Sequence, residues 1–583
     1  MSFLSRIMVL KSKAHFSAGV NLRPGDGLGR SKFEGARKRK TVQAKSRVVL
    51  LILSFSAVYC VIGARLVQFA VAEPETVSSI LPPDRLMASR PDIVDRNGAI
   101  LATDIRTVSL FAEPNKIIDA DEAVEKLRTV LPDLDARGTY RKLSVKTSHF
   151  AWLRRQLTPK QQSQILALGI PGIGFRPEKR RFYPGGPTAS HILGYVNIDN
   201  HGVAGMEKYI DDQGLADLAA VGMTSNAPLE PVRLSIDLRV QAITRDVVVN
   251  AVQNFGAKGG GAVVLNARTG EVVAMASAPD FDPNNPNEGA AEGWLNRMTN
   301  GTFEMGSTFK TITMALALDS GKITLRDAFD ASAPLHIGGF TIHDFHGQHR
   351  VLTVPEIFQY SSNIGTAKII DLVGIDTQKE YMTRFGLLTK LQTELPEVKT
   401  PTQPRVWKKI NSITISFGHG VSTTPLQTAV AGAALVNGGR LLPPTFLPRT
   451  EEQANDMAKM VVKKSTSDNV RFLLDFNGTK GSGRVARVPG FEVGSKTGTA
   501  DKVVHGRYSS TLNFNTFLAA FPIDNPEYVV FTFCDEPKNG EHGGTISAFT
   551  AGPIARDIIA RAAPILGVKP KFGEDASALL VSY

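Results

Sequence analysis

A short stretch near the C-terminal end combines glycines, hydroxyl side chains and one lysine: Gly494-Ser495-Lys496-Thr497-Gly498-Thr499-Ala500. It contains the only Lys-Thr-Gly triplet of the sequence and follows a strand predicted over residues 491–493. Glycine in a strand allows another backbone to lie close to it. Lys496 supplies a positive charge, and Thr497 and Thr499 supply hydroxyls that can bind a carboxylate. The stretch therefore predicts a binding strand for a substrate backbone, with a β-turn and an exposed lysine as the plainer alternative.

The patterns on both sides of this stretch predict one mixed α/β domain. Apolar runs bounded by turn residues predict strands over residues 262–265, 271–275, 515–521 and 528–533. The intervening Asn-Ala-Arg-Thr-Gly sequence predicts a hairpin turn between the first two strands. Helical periodicity over residues 235–254 and 551–566 predicts the helices that begin and end the domain. We therefore expect a sheet made from both ends of residues 231–566, with a helical middle.

Ser307 and Lys310 form the only Ser-x-x-Lys spacing in the chain. They precede a helix predicted over residues 311–318, and a three-residue spacing on a helix places both side chains on one face. A serine hydroxyl needs a base beside it to act as a nucleophile. Lysine can be that base only when neutral, so burial and a neighbouring cation would have to lower its pKa from about 10.4. An N-capping serine with a surface lysine is the alternative without catalysis.

Ser361 and Asn363 stand before another predicted helix, over residues 365–372. Ser361 is a candidate proton relay, and Asn363 is a candidate partner for a substrate amide. The same Ser-x-Asn spacing occurs at Ser467, so the pattern is weak by itself. A helix-capping pair is the alternative interpretation.

The first 47 residues form a strongly basic tail, with 12 Lys or Arg against two acidic residues. They account for +10 of the net charge of +12, so the nearly neutral remainder does not predict nucleic-acid binding. An uncharged run over residues 48–64 follows, and the apolar character continues to residue 72. We predict a single membrane-spanning helix over residues 48–72, with a cytoplasmic N-terminus. A buried helix and a signal peptide cleaved after Ala72 are the alternatives.

Length and composition exclude several other classes of protein. A chain of 583 residues with 42% hydrophobic and 21% charged residues predicts several globular domains rather than general disorder. Cys60 and Cys534 are the only cysteines, which excludes a disulfide scaffold and a cysteine-based metal site. The predicted segments are a basic tail, an anchor, a mixed domain, the α/β domain and a C-terminal tail: 1–47, 48–72, 73–230, 231–566 and 567–583.

The Ser-x-x-Lys, Ser-x-Asn and Lys-Thr-Gly motifs occur here in that order, in a segment predicted to lie outside the membrane. This set resembles the motifs of the class B penicillin-binding proteins. Further similarity to that family covers stretches of both soluble domains: 90–102, 181–186, 191–194, 205–208, 261–270, 296–297, 418–420 and 424–427. Met305 departs from the family pattern, which usually has proline at this position.

The resemblance implies a penicillin-binding/β-lactamase-like α+β fold, with an antiparallel sheet and flanking helices. This domain would stand on an extended pedestal, residues 73–230, behind the single membrane helix. By position in the motifs, the implied catalytic residues are Ser307, Lys310 and Ser361. The implied substrate-binding residues are Asn363, Lys496, Thr497, Gly498 and Thr499. The backbone amides of Ser307 and Thr499 would form the oxyanion hole, and His191 and His419 would be structural.

The implied reaction is peptidoglycan D,D-transpeptidation, with β-lactams as inhibitors and no cofactor or metal ion. Ser307 would attack the D-Ala–D-Ala bond of a stem pentapeptide, and an amine of a second stem would resolve the acyl-enzyme. Thr302-Phe303-Glu304 resembles the division-specific, FtsI-type branch. The implied location is the bacterial cytoplasmic membrane with a periplasmic catalytic domain, beside an FtsW-type glycosyltransferase and other division proteins.

Several alternatives share parts of this pattern. An elongation-type class B transpeptidase would have the same motifs. A β-lactamase or carboxypeptidase would use water to resolve the acyl-enzyme. A penicillin-sensing receptor and an inactive division scaffold would use the domain without turnover, and the three intact motifs argue against the scaffold.

Overall fold

The computed structural model describes residues 52–64, 90–214, 229–286, 291–504 and 506–571. The chain divides into two compact units, Met1–Pro82 and Pro83–Tyr583. In the first unit, helix α1 covers residues 52–64. Among the described residues, no helix combines the length and the apolar character needed to span a membrane.

Some predictions fall wholly or partly on residues outside these ranges. The basic tail and the cleavage site after Ala72 lie outside the described residues, as does most of the C-terminal tail. The predicted anchor over 48–72 extends beyond α1 at both ends, so it stays a prediction. The domain boundaries at residues 72 and 230 stay predictions as well.

The described part of the pedestal is built around one long strand. Strand β2 (Ile100–Ala112) pairs antiparallel with β1 (Ile93–Val94), β3 (Ala151–Leu157) and β4 (Ile173–Phe182). Strand β5 (Val232–Arg233) joins β1 in parallel, just beyond the predicted boundary at residue 230. The sequence predicts two short strands in this region, over residues 93–94 and 108–111, and both are confirmed as parts of β1 and β2.

Helices cover this small sheet and connect its strands. Their bounds are α2 (Ala120–Val130), α3 (Ala136–Ser144), α4 (Pro159–Ala167), α5 (Ser190–Leu193) and α6 (Gly205–Asp212). An amphipathic pattern over residues 122–130 predicts a helix, and α2 confirms it. Its Leu127 packs in one buried cluster with Leu110 of β2, which holds the helix on the sheet.

The sheet of the α/β domain confirms that both ends of the domain contribute strands. Its order is β14-β15-β16-β6-β7, and every neighbouring pair is antiparallel. The strands are β6 (Gly259–Asn266), β7 (Val272–Ala278), β14 (Gly494–Val504), β15 (Arg507–Phe521) and β16 (Tyr528–Asp535). Strand β14, which carries the Lys-Thr-Gly motif, lies at one edge of this sheet and leaves a row of backbone groups unpaired by a neighbouring strand.

The alternation of side chains along these strands makes two apolar layers. Ala262 and Val264 face one layer with helices α7 (Leu238–Asn254) and α16 (Ala551–Ala562). Val263 faces the other layer, with the fully buried helix α13 (Pro425–Val436). The sheet is therefore covered on both faces, as expected for an apolar sheet.

The helical middle of the domain lies between β7 and β14. Its helices are α8 (Lys310–Asp319), α9 (Val354–Gln359), α10 (Asn363–Val373), α11 (Ile375–Arg384), α12 (Lys409–Ser416), α13, α14 (Glu451–Met457) and α15 (Lys464–Lys480). Its short strands are β8 (Ala328–Asp330), β9 (Leu335–Ile337), β10 (Phe340–Ile342), β11 (Val351–Thr353), β12 (Arg440–Leu441) and β13 (Lys459–Met460). Helices α8 and α10 confirm the two helices predicted beside the first two motifs.

Three predicted boundaries need correction. The predicted strand over 491–493 is wrong: Phe491 makes only an isolated bridge to Val488, and β14 begins at Gly494. The first helix begins at Leu238 rather than 235, because the Asp237 side chain caps it. The last helix ends at Ala562 rather than 566, and Pro564, which cannot continue a helix, follows its end.

Candidate active site

Ser307 lies in a tight turn that is pressed against the edge of β14. The turn is the 3-10 helix Gly306–Phe309, which leads directly into α8 (hereafter the Ser307 turn). Gly306 has a φ of +56°, and a Cβ there would lie 2.5 Å from the Thr499 carbonyl oxygen. Only glycine allows this approach, so the turn brings the Ser307 and Thr499 backbones together.

Met305, where the family usually has proline, anchors the start of this turn. Its side chain is fully buried, and its carbonyl accepts hydrogen bonds from the Thr308 and Thr516 hydroxyls, both at 2.8 Å. Thr516 belongs to β15, so these bonds tie the Ser307 turn to the sheet. The methionine therefore supports the same turn through its backbone.

Lys310 points toward the second motif. Its ammonium donates to the Ser361 carbonyl, to the Ser361 hydroxyl at 3.1 Å and to the Asn363 side-chain oxygen at 2.7 Å. The side chain is fully buried. Burial and then the positive charge of Lys496 lower the pKa of Lys310 well below its usual value, and the charge of Asp344 acts in the opposite direction. Burial and the neighbouring charge thus favour the neutral amine of Lys310 over its ammonium form.

Ser361 occupies a conformation that few side chains adopt. Its φ is +57°, which costs about 1 to 3 kcal/mol for a residue other than glycine. The hydroxyl lies 3.1 Å from the Lys310 nitrogen and 3.0 Å from the Lys496 nitrogen. The strained backbone therefore places one hydroxyl between two buried lysines, where it can pass a proton from one to the other.

Lys496 is the second buried lysine of the site. Besides Ser361, its ammonium donates to the Thr497 carbonyl at 3.0 Å and lies 5.6 Å from the centre of the Phe358 ring. Burial lowers the pKa of Lys496 to about 7. Lys496 can therefore carry or release a proton near neutral pH.

Asn363 is held by both ends of its amide. Its oxygen accepts from Lys310, and its nitrogen donates to the His343 carbonyl at 3.0 Å. The adjoining Asp344 accepts from the Ser362 hydroxyl at 2.7 Å and from the Ile364 amide at 2.9 Å. Asp344 thus fixes the start of α10 and the loop around the second motif.

The Lys-Thr-Gly motif lies inside β14 rather than after a strand. The Thr497 hydroxyl is 2.7 Å from the Ser482 hydroxyl, and the Thr499 hydroxyl accepts from the Ser547 amide at 3.2 Å. A Cβ at Gly498 would lie 2.3 Å from the Thr516 hydroxyl and 2.6 Å from the Met305 carbonyl. Any side chain at 498 would therefore push the edge strand away from the Ser307 turn.

Comparison with known families explains this constellation. The transpeptidase domain of penicillin-binding proteins matches residues 260–560, and the penicillin-binding protein dimerisation domain matches residues 85–216. The chain belongs to the class B penicillin-binding proteins. The two matched regions correspond to the α/β domain and to the pedestal.

The similarity to other penicillin-binding proteins extends over most of this chain and most of each relative. The probable peptidoglycan D,D-transpeptidase FtsI of Caulobacter vibrioides is 38% identical over 494 residues, which is 83% of this chain and 82% of that protein. The probable peptidoglycan D,D-transpeptidase PenA of Neisseria meningitidis is 32% identical over 560 residues, 91% of this chain and 95% of that protein. The crystal structure of penicillin-binding protein 3 from Mycobacterium tuberculosis, complexed with aztreonam, superposes with a TM-score of 0.64 at 25% identity. It covers 83% of this chain and 98% of that chain.

The two histidines of the family stretches lie in buried surroundings. The His191 ring is 2.7 Å from the Gly293 carbonyl, and burial lowers the pKa of His191 to about 4. Burial and then the charge of Lys310 lower the pKa of His419 to about 4. With these lowered pKa values both rings are expected to be neutral near pH 7, and no hydrogen bond joins either ring to Ser307 among the described residues.

All eight predicted site residues lie in three places: the Ser307 turn with α8, the loop that leads into α10 with the first residue of that helix, and β14. By contrast, Ser467 of the second Ser-x-Asn triplet donates to the Leu435 carbonyl in a separate helix contact. No local pattern predicted Asp344, Ser482 and Ser547, because each meets its partner only through the fold. The expected contact between Ser307 and Lys310 is replaced in the described structure by the contacts of Lys310 with the second motif.

Proposed function

We propose that this chain is a serine-type peptidoglycan D,D-transpeptidase of the division-specific, FtsI-type branch, with Ser307 as its acylated nucleophile. The observation that carries the proposal is the Ser361 hydroxyl, which bridges two fully buried lysines next to the Ser307 turn. Such an array can take a proton from a nucleophile and return it to a leaving amine. The FtsI and PenA relatives supply the substrate class.

Acylation begins when the neutral Lys310 takes the proton of Ser307, and the Ser307 oxygen attacks the D-Ala–D-Ala carbonyl. The developing oxyanion is stabilised by the backbone amides of Ser307 and Thr499, whose chain segments Gly306 brings together. The proton then travels through Ser361 to the leaving D-alanine amine. Lys310 accordingly acts as base and then as acid in one half-reaction.

The donor peptide is expected to bind along the free edge of β14. An extended peptide can add to such an edge through backbone hydrogen bonds. Its terminal carboxylate is received by Lys496 and by the hydroxyls of Thr497 and Thr499, and Asn363 binds the peptide amide. Gly498 keeps the strand close to the nucleophile.

An amine from a second stem then attacks the acyl-enzyme, so that both acyl transfers use one oxyanion site. A β-lactam acylates Ser307 in the same way and blocks this second step. We propose further that residues 1–47 are cytoplasmic, residues 48–72 form the anchor, and the catalytic domain is periplasmic. The basic tail supports this orientation, and an FtsW-type glycosyltransferase with other division proteins is the proposed set of partners.

Labelling of membranes with a fluorescent penicillin tests the nucleophile. The Ser307→Ala variant is expected to lose all label, because no oxygen remains to be acylated. The Ser465→Ala variant, at an exposed position of α15, is the matched control and keeps the label of the wild type. Label that persists in Ser307→Ala would overturn the assignment, and label lost within minutes from the wild type would favour a β-lactam hydrolase.

A separate experiment, depletion of the protein from growing cells, tests the branch. Depletion of a division-specific transpeptidase is expected to give filaments that elongate without septa. Cells that round up on depletion would instead favour the elongation-type alternative.

A further inference from the structure

A cavity of about 200 Å³ continues the active site along β14, on the side away from Lys496. Its walls are residues 302–304, which lead into the Ser307 turn, residues 500–503 of β14, Ser422 and Phe514. Neither the motifs nor the proposed donor site uses these residues. The cavity therefore offers room for a second group beside the segments that adjoin the Ser307 turn and the Lys-Thr-Gly motif in the chain.

Glu304 gives this cavity a carboxylate with unused hydrogen-bonding capacity. One oxygen accepts from the Gly420 amide at 2.7 Å and from the Tyr508 hydroxyl at 3.3 Å. The other oxygen is buried and has no hydrogen-bond partner in the described part of the chain. A buried, unpaired carboxylate oxygen is unfavourable, so an incoming N–H donor would be stabilised there.

The remaining charged groups leave the cavity negative. Asp501 lies in its wall as a second acidic side chain, and burial raises the pKa of both Asp501 and Glu304, so each carboxylate takes up a proton more readily than an exposed one. Lys502 is the cation in the wall, but it already binds Asp535 at 2.7 Å and Glu536. The two ends of the groove thus differ in charge, with lysines at the Lys496 end and carboxylates at the Glu304 end.

We propose that this cavity receives the ammonium group of the acceptor stem peptide, and that Glu304 is a specificity-determining residue for that second substrate. This inference rests on the transpeptidase function proposed above. The anionic end of the donor is attracted to Lys496 and repelled by Glu304, whereas the ammonium of the acceptor experiences the opposite forces. Electrostatics therefore sort the two substrates within one groove.

The transfer step balances with Glu304 as the first proton acceptor. The ammonium loses one proton to the Glu304 carboxylate and becomes a nucleophilic amine. Its nitrogen then forms the new C–N bond while the bond from carbon to the Ser307 oxygen breaks. The second proton of the nitrogen returns through Lys310 to the Ser307 oxygen, and the proton on Glu304 passes to water.

The Glu304→Gln variant tests the inference, because glutamine keeps an oxygen for Gly420 and Tyr508 but removes the negative charge. The acyl-enzyme is formed from a synthetic stem peptide ester and resolved by a stem tripeptide with a side-chain amine. We expect the apparent KM for that amine to rise at least about tenfold, as for the loss of a buried charge partner. Resolution by hydroxylamine, which is uncharged at neutral pH, is expected to change less than about twofold.

Two further measurements separate an effect on the acceptor amine from a general effect on the Ser307 turn. Tyr508→Phe loses one hydrogen bond but keeps the carboxylate, and it is expected to change the KM for the tripeptide amine less than about threefold. If Glu304→Gln slows penicillin acylation as much as it slows resolution, Glu304 positions the Ser307 turn and the inference is wrong. An unchanged KM for the tripeptide amine would overturn it equally. A wild type that penicillin does not label would instead refute the proposed function.

Discussion

In the pedestal, Arg90 and Arg181 lie on either side of the Glu207 carboxylate, whereas in the active site Lys310 and Lys496 lie on either side of the Ser361 hydroxyl. All four cations are buried. The pedestal arginines contact Glu207 at 2.8 and 2.6 Å, and Arg181 has a second carboxylate, Asp104, at 3.2 Å. Neither lysine has a carboxylate within ion-pair distance among the described residues.

This difference in partners has opposite effects on protonation. Burial acts to lower the pKa of Arg181, but the charges of Glu207 and Asp104 outweigh it and raise the pKa above its usual value. At Lys310 the charge of Asp344 does not outweigh burial and the charge of Lys496, so the pKa falls well below its usual value. At Lys496 burial lowers the pKa to about 7. Matched buried charges stay fixed and hold a structure together, while unmatched ones become able to exchange protons.

The largest effect is expected when Lys310 is replaced by a side chain that is always charged. Lys310→Arg introduces a permanent positive charge, because a guanidinium cannot be deprotonated, so the base for Ser307 is lost. The rate of acylation by penicillin is expected to fall about 10²- to 10⁴-fold, the usual contribution of a general base. Stopped-flow acylation measures this rate, and thermal unfolding of the same variant checks that the domain remains folded. An acylation rate within threefold of the wild type would rule out Lys310 as the base.

The second experiment removes the carboxylate that pairs with the two pedestal arginines. Glu207→Gln leaves Arg90 and Arg181 buried without their central carboxylate, which is expected to cost about 3 to 5 kcal/mol of unfolding free energy. Denaturant unfolding of the soluble domains measures this change. Since Glu207 lies outside the motifs, folded protein should still be acylated by penicillin at the rate of the wild type. An unchanged free energy of unfolding would show that the pedestal cluster does not stabilise the fold.

The two clusters also differ in how far the sequence could predict them. The active-site lysines were predicted because each belongs to a short motif, Ser-x-x-Lys or Lys-Thr-Gly. The pedestal cluster joins Arg90 to Glu207 across more than a hundred residues. No local pattern signals such a pair, and the contacts of Glu304 with Gly420 and Tyr508 were not predicted for the same reason.

The strands differ in the same way: some could be predicted from local sequence, whereas β14 depends on contacts with distant residues. Strands with continuous apolar runs, such as β6 and β16, were predicted because a strand buried on both faces leaves that pattern in the sequence. Strand β14 was misplaced because its motif consists of glycine, serine, lysine and threonine. That stretch is extended because β15 pairs with it, for example Lys496 with Leu518, and because Gly498 fits against the Ser307 turn. Its conformation is set by tertiary contacts rather than by residue preference.

The smallest effect concerns the second lysine and separates its charge from that of Lys310. With a pKa of about 7, Lys496 is charged below neutral pH and neutral above it, so its attraction for a substrate carboxylate declines as the pH rises. Between pH 6 and pH 8 the binding of a penicillin carboxylate before acylation is expected to weaken about tenfold. The concentration dependence of acylation gives this binding constant separately from the rate of acylation itself.

Lys496→Arg is the matched variant for this measurement, because a guanidinium stays charged throughout that pH range. Its binding of penicillin is expected to be nearly independent of pH, although the geometry of the carboxylate contact will differ. The pH dependence of the acylation rate should remain, because it belongs to Lys310. If the binding constant of Lys496→Arg keeps the slope of the wild type, the titrating group is not Lys496. The pH dependence of the active-site lysines would then come from Lys310 alone.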